Sequence, residues 1–180
     1  MKHFLFLCLF FLASPAIAED LSLCVEGWKK TEMGEHAEAI SLLQECVDKG
    51  DLTERSLSRT YRNLGIVYKR IGQFEEALKQ LGLALSHQAE DPWNDYVNRG
   101  TVWVKLNDFK KAFNDYNQAL SIKPDYGPAY YGRGELFEVQ GKTQQAIIEY
   151  QKAYDSGWKT KLLYDKFVKH GLVEPQSPSN

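Results

Sequence analysis

The chain has 180 residues, 43% of them hydrophobic, and a net charge of −2. That length allows one modest domain, and that apolar content supports a packed core and argues against wholesale disorder. A charge so close to zero gives no basis for nucleic-acid binding through charge alone.

In chain order, the first segment stands apart from the rest. Lys2 precedes an unbroken apolar run from Phe4 to Leu12, and Ser14-Pro15-Ala16-Ile17-Ala18 then ends in a small-x-small pattern before Glu19-Asp20. This is the pattern of a secretory signal peptide over residues 1–18, cleaved after Ala18. A membrane helix needs roughly twenty apolar residues, so the run is too short for the rival reading, an uncleaved anchor. No later stretch is apolar enough to span a bilayer. The mature protein is therefore expected to be exported, periplasmic or secreted. Cys8 leaves with the signal segment, whereas Cys24 and Cys46 remain, an even pair in a compartment that permits disulfides.

Residues 19–171 read as helical hairpins. The first, about 20–50, carries Leu23, Gly27, Gly34, Ala39, Leu43 and Cys46, and Thr53 is placed to cap the helix that follows. The second, 58–91, carries Tyr61, Leu64-Gly65, Tyr68, Gly72, Phe74, Ala77, Leu81 and Ala84. Asp91-Pro92 then reads as an N-cap followed by a first-turn proline. The third, 93–126, carries Tyr96, Arg99-Gly100 and Trp103 on one helix face, with Ala112, Tyr116 and Ala119 on the next. Asn107-Asp108 breaks the pattern between those helices and Pro124 stops the second. The fourth, 127–158, carries Tyr130, Arg133-Gly134, Phe137, Gly141, Ala146, Tyr150 and Ala153, and Trp158 stands where the third has proline. From about 159 to 170, Leu162, Leu163, Phe167 and Val168 form an apolar stripe ended by Gly171, the pattern of a capping helix. Residues 172–180 are expected to be a loose tail.

The small residues that open the second helices, Ala39, Ala77, Ala112 and Ala146, are spaced by 38, 35 and 34 residues. With the aromatic, glycine and alanine positions above, this period resembles the tetratricopeptide repeat (TPR). The resemblance implies an all-α, right-handed superhelical solenoid of antiparallel helix hairpins with a C-terminal capping helix. Neighbouring hairpins must stack, because one hairpin cannot bury both of its faces. A bulky residue at Gly65, Gly100 or Gly134 is expected to wedge its hairpin open, at about 1–3 kcal/mol.

Cys24 and Cys46 each lie eleven residues from residue 35, near the first turn. On antiparallel helices they sit at one height, either as a disulfide or as two packed thiols. Arg99 with Asp115, and Arg133 with Glu149, share repeat positions and are expected to form ion pairs within their hairpins. His3, His36, His87 and His170 fall in different units with no partner at metal-ligand spacing, and no serine or cysteine sits in a nucleophile context. The chain is read as non-catalytic, with no cofactor and no metal.

The resemblance places function on the concave face lined by the first helix of each hairpin. The candidate peptide-binding residues are Arg59, Arg62, Asn63 and Lys69 from the second hairpin, with Trp28 before them. The third hairpin contributes Asn94, Asn98 and Lys105, and the fourth contributes Tyr131 and Glu135. Arginine and asparagine there can hydrogen-bond the backbone and carboxylates of an extended segment. The expected function is an exported scaffold that binds a protein or peptide partner in this groove. The alternative is an assembly factor or chaperone for an envelope complex, acting through the convex face or by end-to-end association.

Overall fold

The computed structural model describes residues 15–50, 52–87 and 91–173. The expected signal segment up to residue 14 and the tail from 174 lie outside the described residues. Among the described residues the secondary structure is helical throughout: α1 (Pro15–Met33), α2 (His36–Lys49), α3 (Glu54–Arg70), α4 (Phe74–Ser86), α5 (Pro92–Lys105), α6 (Phe109–Ile122), α7 (Gly127–Val139), α8 (Thr143–Asp155) and α9 (Lys161–Lys169). Because α1 begins at Pro15, it runs through the Ala18 boundary expected between signal segment and fold.

Helices pair as α1·α2, α3·α4, α5·α6 and α7·α8, and the first helices of successive hairpins also touch: α1 with α3, α3 with α5, α5 with α7. That adjacency puts the first helices on the inner side of a superhelix. Within each pair the same device recurs. A Cβ added to Gly27 or Gly65 would come 2.8 or 2.6 Å from the Leu43 or Leu81 side chain, and at Gly100 or Gly134 it would come 2.9 or 2.4 Å from the Tyr116 or Tyr150 ring. Four glycines therefore each admit one large residue of the facing helix. Above and below that residue sit small, fully buried side chains: Ala39 and Cys46, Ala77 and Ala84, Ala112 and Ala119, Ala146 and Ala153. The first hairpin obeys the rule as strictly as the others.

The turns between paired helices share one left-handed residue, Gly34, Gly72, Asn107 or Gly141, with φ between 59° and 80°. Asparagine tolerates that region better than other side chains. Thr53 caps α3 by accepting from the Ser56 amide. Asp91 takes the N-cap position of α5, but its side chain makes no capping bond; its carbonyl accepts from the Asn94 amide at 3.0 Å. At the far end Trp158 folds back over α7, so closely that a Cβ on Gly127 would lie 2.2 Å from the Trp158 Cβ.

Candidate functional site

The inner face is built by α1, α3, α5 and α7. On α3 the side chains Arg55, Arg59, Arg62 and Lys69 recur at helical spacing, so they form one cationic stripe. The structure commits most of that stripe to neighbouring helices. Arg62 makes a two-pronged pair with Asp95 of α5, Nε donating to Oδ1 at 2.5 Å and Nη2 to Oδ2 at 3.0 Å, and Nη2 also donates to the Asp91 carbonyl at 3.3 Å. Asp95 is fully buried. Arg70 donates to the Thr31 carbonyl near the C-terminal end of α1 at 2.5 Å. Lys69 donates to the Asn98 amide oxygen at 2.7 Å. Burial, and then the charge of Arg70, push the Lys69 ammonium down to about 8.

Several expected ligand groups also have partners within the fold. Arg62 is tied to Asp95, one repeat further on. Asn63 is buried and its amide donates back to the Arg59 carbonyl at 2.9 Å, so it serves its own helix. Asn98 accepts from Lys69 and donates to the Asn94 carbonyl at 3.0 Å. Asn94 accepts from the Tyr126 hydroxyl. Tyr131 is 7% exposed and packs on Tyr150 and Trp158, with ring centroids 5.5 and 5.0 Å away. Trp158 covers Gly127 and packs on Tyr131 beside the core cluster of Ala146, Tyr150, Ala153, Leu163 and Phe167. Only Lys105, at the end of α5, and Arg59, on α3, are exposed as the sequence reading requires.

The acidic end of the groove is also spoken for. Glu135 accepts from the Tyr131 hydroxyl at 3.1 Å and faces Lys166 of α9 at 3.3 Å. Glu138 accepts from the Tyr150 hydroxyl and from Lys166, both at 2.7 Å, and from Lys169. Burial pushes the Glu138 carboxyl up, but the bonds from Lys166, Lys169 and Tyr150 outweigh it and hold the group down at about 2. The capping helix thus neutralises both carboxylates at the α7 end of the inner face.

The expected pairs within hairpins are present. Arg99 donates from Nε and Nη2 to Asp115 at 2.9 and 2.8 Å, and Arg133 donates to Glu149 at 2.9 Å. Cys24 and Cys46 are joined as a disulfide with Cα atoms 5.3 Å apart, across α1 and α2.

What remains of the inner face is its N-terminal part. Trp28, Arg55, Ser56, Arg59, Arg62 and Asp91 line a hollow of about 340 Å³. The Arg59 guanidinium lies 3.9 Å over the Trp28 ring, a cation–π contact that fixes both side chains. The Trp28 Nε1–H is buried and has no acceptor. The walls are rich in N–H donors and carry one carboxylate, so the hollow suits a group rich in acceptors: backbone carbonyls or a carboxylate. Among the described residues no three His, Cys, Asp or Glu side chains gather as metal ligands, and no helix is long and apolar enough to cross a membrane.

Family models of the tetratricopeptide repeat match residues 30–90 and, as a TPR repeat, residues 100–141. Tetratricopeptide repeat protein 16 of Macaca fascicularis is 31% identical over 102 residues, covering 57% of this chain and 12% of the relative. Protein O-mannosyl-transferase TMTC1 of Homo sapiens is 26% identical over 145 residues, covering 79% of this chain and 16% of the relative. The chain thus spans under a fifth of the length of these curated relatives. Among solved structures, MamA superposes with a TM-score of 0.65 at 23% identity, covering 77% of this chain and 78% of MamA. YrrB, described as a TPR protein with an unusual peptide-binding site, gives 0.65 at 16% identity, with 83% and 74% coverage. PilW, described as a type IV pilus biogenesis factor, gives 0.72 at 15% identity, with 89% and 74% coverage. At these identities the structures show the fold alone.

Proposed function

The chain belongs to the tetratricopeptide-repeat family, and we propose that it acts as an exported, non-catalytic scaffold that holds an extended protein segment against the N-terminal part of its concave face. The hollow beside Trp28 carries this reading. A buried indole N–H without an acceptor costs about 1–3 kcal/mol unless a partner supplies one. Trp28 shares the walls of that hollow with three guanidinium groups, on the face that a superhelix of this kind offers to a chain passing through it. Export, to a periplasm or to the exterior, is supported by the apolar run and small-x-small pattern of residues 1–18 and by the paired cysteines.

Because Arg62 and Asn98 hold helices together, they are poor test positions. Arg59→Ala with Trp28→Phe removes the exposed cation and the orphan donor and leaves the Arg62–Asp95 pair intact. The mature protein is used to select binders from a displayed random-peptide library. Selected peptides should be rich in acidic side chains, and the double variant should bind them at least about tenfold more weakly, a loss of about 1.4 kcal/mol. Equal binding by the double variant overturns the groove reading. N-terminal sequencing of the expressed protein tests export, with Glu19 as the expected first residue. The second reading, an assembly factor for an envelope machine, draws on the description of PilW. It is favoured if the double variant still supports assembly.

A further inference from the structure

The last described helix of the solenoid, α9, continues the repeat register. Tyr164 stands one repeat after Tyr130, Phe167 after Arg133 and Val168 after Gly134. α9 is therefore the counterpart of a first helix, and among the described residues no second helix packs on it. In the fourth hairpin the equivalent face is covered by α8, where Arg133 meets Glu149 and Gly134 receives Tyr150. On the preceding helix, Tyr154 stands one repeat after Leu120 and two after Leu85. Those two leucines are half-buried, whereas Tyr154 is 40% exposed.

A groove runs between α8 and α9. Two adjoining hollows of about 400 and 390 Å³ share Tyr154, Tyr164 and Phe167 as walls. One extends to Lys159 and Leu163, the other to Leu172 and Val173. Leu172 and Val173 are 46% and 39% exposed. Residues 174–180, EPQSPSN, carry no apolar side chain other than proline.

We propose that this groove docks an amphipathic helix supplied by another protein, seated where the second helix of a fifth hairpin would lie. The packing already present in four hairpins specifies the guest. Each second helix lies antiparallel to its first helix, so the guest's C-terminus falls at the start of α9. Lys159 and Lys161 stand there, and cations at a helix C-terminus are favourable. The guest also differs from α2, α4, α6 and α8 in one respect. Where those helices set a leucine or tyrosine against a glycine, the guest meets Val168 and must carry a small residue. Its signature is three small residues at the positions held in α8 by Ala146, Tyr150 and Ala153. This surface is independent of the concave hollow.

The test titrates the mature protein with an end-capped, dye-labelled peptide of residues 142–156 carrying Tyr150→Ala, and follows its anisotropy. Saturable binding is expected at a concentration below about 1 mM, equivalent to about −4 kcal/mol. Leu172→Asp with Val173→Asp should weaken it at least about tenfold. Those two residues are exposed, so an unchanged thermal melt of that variant shows that the fold survives. The peptide with Tyr150 retained should bind more weakly than the alanine form. Arg59→Ala with Trp28→Phe should leave binding unchanged. Failure to saturate, or equal binding by the aspartate variant, overturns the proposal. So does a dimer of the protein alone that the aspartate variant dissociates, because the groove is then covered by a second copy.

Discussion

Replacing Asp95 with alanine separates a ligand-binding arginine from a structural one. Asp95 is fully buried and takes two bonds from Arg62, whose side chain is 18% exposed. Without Asp95 the guanidinium keeps only the Asp91 carbonyl at 3.3 Å as a named acceptor. A buried charge stripped of its partner costs about 3–5 kcal/mol, so Asp95→Ala should lose that much in urea unfolding followed by circular dichroism. Removing both charges should recover most of the loss, because desolvation of the pair then disappears as well. Arg62→Met with Asp95→Leu is therefore expected to lie within about 1 kcal/mol of the parent, or above it. A cost for Asp95→Ala below about 1 kcal/mol, the value of an exposed pair, would refute a structural role for Arg62. A double variant no more stable than the single would do the same.

Gly134→Val should destabilise by about 1–3 kcal/mol in the same assay, since even a Cβ would stand 2.4 Å from the Tyr150 ring. Gly82→Ala is the contrasting case: it lies inside α4 with nothing within 4 Å of its added Cβ, and should stabilise by about 0.5–1 kcal/mol. The oxidised mature protein should titrate no free thiol under denaturing conditions, and Cys24→Ser with Cys46→Ser should lower stability by about 3 kcal/mol; two free thiols would contradict the bridge. Acid should also loosen the C-terminal end. Glu138 titrates at about 2 when folded against an ordinary 4.5, so its stabilisation is full above pH 4.5 and disappears as pH falls toward 2. Amide exchange of α9 across that window checks this, and Glu138→Gln should remove the pH dependence.

The packing rule was legible because it recurs. Gly65, Gly100 and Gly134 with Leu81, Tyr116 and Tyr150 announce themselves by period and residue size. Even the atypical first hairpin keeps Gly27 and Leu43 in register. The expected pairs Arg99–Asp115 and Arg133–Glu149 were visible for the same reason: the two appearances support each other. Links between hairpins were harder to see. Arg62 finds Asp95, Lys69 finds Asn98, and Glu138 finds Lys166 and Lys169, each in the next unit and each with different chemistry. Helical periodicity assigns a side chain to a face but does not say whether the neighbouring coil has already claimed it. A residue one repeat on is the place to look, since Arg62 and Asp95 are 33 apart. Tyr131 was misplaced for another reason. Trp158 stands where the third hairpin has proline, and its ring packs on Tyr131, a contact the repeat pattern does not announce.

A superhelix is a spring, and the contacts between its coils set its stiffness. In this chain many of those contacts are charged and unequally shielded from water. The Arg62–Asp95 link is buried at one end, while Lys169, which reaches Glu138 at the other, is 62% exposed. Salt weakens exposed pairs far more than buried ones. Rising ionic strength should therefore weaken the Lys169 contact at the C-terminal coil, which keeps its shielded Lys166–Glu138 pair, and should affect the coil around Trp28 less. The curvature of the inner face then varies along its length, with the hollow at the end that keeps its shape.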